Sequence, residues 1–365
     1  MFLGLAKVLC CEGADTIRLF GTAFGLDLGE RPAPVLENTS ESSVVAAWDQ
    51  FQQIGFEKVA LQCLRHKEEK RLCDWAFVGL TREVAGHCCG AATNEAALLQ
   101  TFLLAQAGYQ VRLAKASERL CPMLASTDEL LQLPFVVVDD VRYYVYDKSL
   151  GNKPLLVFNR PSGEGRPLTM AVVQPRLAVV LTEERTLVSR RQLEVGVRTN
   201  RNLIDYYGSL PRCTQWRLYK EASISDEAKA TLWPALRQAT NGLDTIAAVN
   251  VLLDFVQTAF AYRDDRQQFG SERPLYPDET LFYPYSDCDD RAILFACLVE
   301  ELVGLETVFL KWPNHVAVGV AFSQAIDGDA VEYGGKRYAV CDPTCIGAEA
   351  GRCPKKYKDV MPTIR

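Results

Sequence analysis

Two distant stretches of this chain repeat one pattern. "NEAALLQTFLLAQAGYQVRLA" (94–114) and "DDRAILFACLVEELVGLETVFL" (289–310) each run from a helix-spaced apolar segment through a glycine into a strand-like segment. Further on, "RYYVYDKS" (142–149) and "RYAVCDPT" (337–344) share Arg, Tyr, Val, Asp and a hydroxyl residue at matching places. Such a repeat constrains the fold strongly, because duplication makes one unit of helix followed by strands occur twice; chance similarity of two α+β segments is the alternative. Strands that follow a helix and pair antiparallel give the class α+β. Aligned on Gly108 and Gly304, the first copy places Thr93 or Ala92 opposite Cys288.

The second copy is the more detailed. "TIAAVNVLLDFVQTAF" (245–260) has helical apolar spacing without Gly or Pro. A long segment rich in Pro, Tyr and charge (262–287) follows, of a length that usually marks a functional loop. From Cys288 to Val303 the chain is almost wholly apolar, which predicts a helix buried on most sides and stopped at Gly304. "ETVFLK" (306–311), "HVAVGVAF" (315–322) and "KRYAVCD" (336–342) read as strands. Between the copies, "LTMAVV", "LAVVLT", "LEVGVRT" and "WRLYKEA" predict a small β module. The domains expected are therefore 1–151, 152–225 and 226–365.

Composition excludes several classes. At 365 residues the chain suits two or three domains. A net charge of −6 without a Lys/Arg stripe argues against nucleic acid as a partner. No apolar run approaches the ~20 residues that span a bilayer, so no transmembrane segment is expected. "SGEGRP" lacks the GK[ST] of a phosphate-binding loop. The 13 cysteines show no regular framework and no CxxC pair, and the three consecutive residues of "HCC" (87–89) cannot easily converge on one ion. Neither a metal nor a cofactor is expected. The start "MFLGLAKVLCC" has no basic n-region or small-residue cleavage site, and reduced thiols suit a cytoplasm. A secreted or periplasmic location would require a signal peptide upstream.

Chemistry concentrates around Cys288. Ser286 followed by Asp289 has the spacing of a capping box and puts Cys288 in the first helical turn. There the free amides and the macrodipole favour a thiolate, while Asp287 and Asp289 point ~100° away around the helix. Arg291 lies on the face of Cys288. His315 opens one strand and Asp342 closes another, with Pro343 behind it. A thiol, an imidazole and a carboxylate at these ends can converge as nucleophile, base and orienting group. Singly, each has a plain structural reading, since cysteines are often buried and an Asp-Pro is often a turn.

"YSDCDDRAILFACLVEELVGL", "HVAVGVAF" and "RYAVCDPT" together resemble the three motifs of the transglutaminase-like superfamily. The resemblance covers residues 245–345. It implies a papain-like fold in which Cys288, His315 and Asp342 form the triad, with a degenerate N-terminal copy. The chain departs from the motif in lacking a Gly before the Cys segment and in a Cys-to-Gly spacing one residue longer. What the resemblance implies is a cysteine peptidase or amidase working through a thioester on a peptide or protein substrate. Amine transfer, as in transglutaminases, is the alternative, and a non-catalytic binding module is another. The oxyanion surroundings expected are the Cys288 amide, Tyr283, Tyr285 and Arg291, and the substrate groove Phe282 and Trp312. Neither a calcium loop nor the zinc-binding CxxC pairs of the peptide N-glycanase branch are found.

Overall fold

The computed structural model describes residues 15–29, 34–147 and 153–365. They divide into two compact units, one up to Asp128 together with Leu133–Thr169, the other Glu129–Gln132 together with Met170–Arg365.

The first unit opens with a hairpin, β1 (Asp15–Leu19) and β2 (Thr22–Leu26), and continues through α1 (Glu41–Ile54), α2 (Phe56–Lys70), α3 (Asp74–Cys89) and α4 (Asn94–Gln106). Thr93 caps α4 by accepting the Ala96 N–H at 3.1 Å. Leu98, Leu99, Phe102, Leu103 and Leu104 of α4 are fully buried, so the helix forms the core support of the sheet that follows. That sheet contains β3 (Val111–Ala116), β4 (Arg119–Ala125), β5 (Phe135–Val138), β6 (Val141–Val145) and β7 (Leu156–Gly163). Its order is β5-β6-β4-β3-β7, with every pairing antiparallel.

The second unit begins with a hairpin, β8 (Arg185–Val188) and β9 (Glu194–Val197), and the helices α5 (Arg201–Ser209), α6 (Trp216–Glu221), α7 (Asp226–Thr240) and α8 (Thr245–Thr258). The long segment then folds as β10 (Ala261–Tyr262), α9 (Asp265–Phe269), α10 (Pro277–Phe282) and β11 (Tyr285–Ser286). Next come α11 (Cys288–Leu298), β12 (Thr307–Trp312), β13 (His315–Val320), β14 (Ala330–Tyr333), β15 (Lys336–Cys341) and the short β16 (Thr363–Ile364). This sheet has the order β14-β15-β13-β12-β16, again antiparallel throughout. The two sheets thus share one strand order, and each follows a buried helix. The class is α+β. Among the described residues no helix is long and apolar enough to cross a membrane.

One residue of the spacing has a local cause. α11 runs on into a π turn, Val299–Val303, and Gly304 closes it at φ +74°. A π turn accommodates one extra residue in a helix, which accounts for the longer distance from Cys288 to Gly304. In the first unit Ala107 stands between α4 and Gly108. The two glycines therefore occupy different places after their helices, and aligning on them shifts the register.

The separate β module expected for 152–225 does not form. β7 completes the first sheet, and residues from Met170 belong to the second unit. "WRLYKEA" is largely α6, and α5 precedes it with Asn200 as its cap and Leu203, Ile204 and Tyr207 buried at helical spacing. "LTMAVV" and "LAVVLT" surround Pro175, which cannot donate to a ladder, and beyond isolated bridges at Leu168 and Leu181 they join no sheet.

Candidate active site

The head of α11 is set by carboxylates. Asp287 is its N-cap, and the Asp290 carboxylate accepts the Asp287 N–H at 3.1 Å. Cys288 is consequently the first residue of the helix. The capping box lies one residue later than the Ser286–Asp289 pair read from sequence. Ser286 is occupied otherwise: it sits in β11, paired in parallel with Tyr262 of β10, and its Oγ accepts from Arg291 Nε at 3.1 Å.

His315 and Asp342 meet as expected. His315 Nε2 lies 2.7 Å from Asp342 Oδ2, with the His315 side chain 11% exposed and Asp342 wholly buried. The other oxygen, Oδ1, accepts the N–H groups of Thr344 at 2.8 Å and Cys345 at 3.1 Å. These donors fix the plane of the carboxylate, and the carboxylate fixes the imidazole, leaving Nδ1 as the nitrogen for chemistry. Gln257 of α8 anchors the same loop. Its Nε2 donates to Asp342 O and Ala348 O, both at 2.9 Å, and its Oε1 accepts the Gly347 N–H at 3.0 Å.

Cys288 is a free thiol held on the strand that carries His315. Its Sγ accepts the backbone N–H of Val316, the residue after His315. No hydrogen bond joins the sulfur to the His315 ring. The side-chain atoms of Asp287 and Asp289 lie within 4.8 Å of the sulfur and of each other, rather than turned away. Burial first, then the charges of Asp289 and Asp287, push the thiol well above its ordinary range, opposed by the Val316 N–H. This direction is opposite to the one expected from the helix terminus, which favours a thiolate.

The acidic surroundings extend further. Asp265, Asp287 and Asp290 form one close group of ligand-capable atoms, and Asp265, Glu272 and Asp289 another. Burial raises Asp265 and Asp287 to about 7. It raises Asp289 and Asp290 well above the usual carboxylate range. Asp287 and Asp289 share a hydrogen bond, so a proton between carboxyls takes the place of a countercharge. These oxygens are the groups that could hold a hard cation.

The remaining expected site residues are placed elsewhere. Arg291 is buried, and its guanidinium donates to Ser286 Oγ, Gln257 O at 3.2 Å and Phe260 O at 2.7 Å, so it ties β10, β11 and α8 together. Tyr283 packs against Phe269 and Phe282, and the Tyr285 ring lies under Arg263 at 3.5 Å. The Arg185 guanidinium occupies the carbonyls of Leu281, Tyr283 and Pro284. Phe282 lines a cavity of about 380 Å³ with Arg185 and Arg201, whose lining includes none of the triad. Trp312 is 3% exposed and donates to Val360 O at 2.7 Å; it is core, not groove. Sequence reasoning missed Tyr262, Gln257, Val316 and Tyr357. Tyr262 stands in the electrostatic field of Cys288, and burial with that thiol and Asp287 pushes its phenol up. The Tyr357 ring stacks on His315. Only Gln257, a polar residue in an apolar helix, left a trace in the sequence.

No protein-family profile, no curated protein and no solved structure matches this chain.

Proposed function

We propose that this protein is a cysteine-dependent amide-bond enzyme of transglutaminase-like, papain-like design, acting first as a peptidase or amidase. One observation carries the reading. His315 is oriented by a fully hydrogen-bonded Asp342, and Cys288 is hydrogen-bonded to the amide next to His315. In enzymes of this type the thiol–imidazole contact is often loose before substrate binds.

Cys288 Sγ attacks the carbonyl carbon of a carboxamide or peptide while its proton passes to His315 Nδ1. The oxyanion is met by the Cys288 N–H at the first helical position. The C–N bond breaks as His315 returns the proton to the leaving amine, giving a thioester. Water then attacks the thioester, its proton goes to His315, and the C–S bond breaks to release a carboxylic acid. The Cys288 sulfur recovers its proton from His315. A primary amine in place of water would give transfer. With the thiol raised above its ordinary range, proton removal accompanies attack instead of preceding it. The first unit belongs to this reading as a copy that keeps the scaffold without a thiol–imidazole pair.

The test incubates the full chain with peptide and glutamine-amide substrates, with and without a primary amine, and follows products by mass spectrometry. Acid or amine-adduct products that vanish in Cys288→Ala support the reading and tell hydrolysis from transfer. Unchanged substrates, together with no acyl group on Cys288, would replace it with the binding module.

A further inference from the structure

The ladders of the two sheets locate what stands in the first unit where the triad stands in the second. Met123 pairs with Val145, and Gly319 pairs with Val340. Arg119 opens β4 four residues before Met123, as His315 opens β13 four residues before Gly319. Asp147 follows Val145 by two, as Asp342 follows Val340. Arg119 binds Asp147 at 2.8 Å, and His315 meets Asp342 at 2.7 Å. Asn94 is the first residue of α4, and its Oδ1 accepts the Leu120 N–H at 2.9 Å, just as Cys288 Sγ accepts that of Val316. The counterpart of Cys288 is therefore Asn94, one residue beyond Thr93. An amide, a guanidinium and a carboxylate replace thiol, imidazole and carboxylate. At these three places neither a thiol nor an imidazole remains; His87 and Cys121 line the cavity from other positions.

Among the described residues nothing fills this place. A cavity of about 540 Å³ opens there, lined among others by Arg18, Arg82, Thr93, Arg119, Tyr146 and Asp147. That size suits a small molecule. Arg82 lies over the Tyr146 ring at 4.8 Å. Neither Arg82 nor Arg18 meets a carboxylate among the described residues. At the head of α4, Thr93, which caps the Ala96 amide, lines the cavity together with Ala96 and Ala97. Glu83 and Asp147 are the acids of the lining, and Asp147 is already paired with Arg119. Val78, Ala96 and Leu124 supply an apolar wall. We propose that this cleft is a non-catalytic binding site for a small organic carboxylate with an apolar body, such as an N-acylated peptide ending in a free carboxylate. Planar guanidinium forks match a carboxylate, and the apolar wall takes the acyl or side-chain part. The proposal does not depend on catalysis by the second unit.

The test is calorimetric titration of the full chain with N-acetyl-Ala-Ala and, separately, with its C-terminal amide. The carboxylate should bind with a dissociation constant on the order of 0.1–1 mM, and the amide about tenfold more weakly or not at all. Arg82→Gln should weaken carboxylate binding about tenfold or more, with an unchanged melting temperature as the control for folding. Arg82→Lys should recover part of the loss. Alkylation of Cys288 should leave binding unaffected, which separates this cleft from the second unit's site. Equal binding of acid and amide, no binding of either, or full affinity in Arg82→Gln would each overturn the proposal.

Discussion

The ring of Tyr357 lies parallel to that of His315, with centroids 5.2 Å apart and an interplanar angle of 8°. Trp312 also stacks on Tyr357, at 5.2 Å and 24°, and its own centroid lies 6.2 Å from that of His315. The imidazole is thus held by a carboxylate at its edge and a phenol on its face. Tyr357→Ala should reduce amide turnover about tenfold or more by loosening the ring, beyond the ~0.5–1.5 kcal/mol of a stacked pair. Tyr357→Phe keeps the ring and should stay close to wild type. Steady-state rates for the two variants, beside their melting temperatures, check this.

The buried thiol makes a pH prediction opposite to that of an ion-pair cysteine. Because burial and the charges of Asp289 and Asp287 raise Cys288, iodoacetamide labelling at this position should be slow at pH 6 and climb beyond pH 8. At pH 8 Asp287, raised only to about 7, carries the charge of the pair, so Asp287→Asn should quicken labelling roughly tenfold. Peptide mapping by mass spectrometry reads each cysteine separately. A labelling rate already at its plateau at pH 6 would show an imidazolium-paired thiolate instead.

Gln257 provides three hydrogen bonds to the loop that carries Asp342. Gln257→Ala leaves two carbonyls and one N–H of that loop without these partners in a buried place. The expected loss is about 2–5 kcal/mol of stability, at ~1–3 kcal/mol for each stranded group with partial rescue by water. Denaturant unfolding measures it, and any surviving protein should show turnover reduced more than substrate affinity.

The acid cluster governs stability on the alkaline side. Asp265 and Asp287 are raised to about 7 in the folded chain, against ~4 for an unfolded aspartate. Between those values the unfolded chain releases protons that the folded chain keeps. Stability contributed by these groups is therefore complete below pH 4 and falls as pH rises through 7, by up to ~1.4 kcal/mol per pH unit for each proton. Asp265→Asn should flatten this slope and leave the protein about 2 kcal/mol more stable at pH 8. Melting temperatures taken from pH 4 to 9 would show it, and a slope unchanged by the substitution would exclude Asp265 as its source.

The helices and strands around the site were legible because their periodicities are local. α8, α11, β12, β13 and β15 all fall where apolar spacing placed them. His315 and Asp342 were legible for the same reason: each sits at the end of a strand, and two neighbouring strand ends meet. What escaped depends on distant partners. Trp312 looked like a groove residue because an aromatic beside a histidine carries no mark of the Tyr357 ring that buries it. Asp287 and Asp289 seemed harmless on an ideal helix, but Asp287 is the cap and its side chain can turn toward Asp289. The middle segment misled because α5 and α6 are short and rich in aromatic residues, which favour strands in isolation. The register between the copies slipped because a π turn leaves no signature in a run of apolar residues.

The contact between Cys288 and the amide of Val316 turns one backbone nitrogen into a reporter of the sulfur. In a nitrogen-15 spectrum, the Val316 cross-peak should shift as the thiol ionises, is alkylated or carries an acyl group. Its deuterium exchange should slow as the sulfur gains charge and accept more rapidly when the sulfur moves off. The Leu120 amide, held by the Asn94 oxygen, provides an internal standard in the same chain that none of those reactions touches.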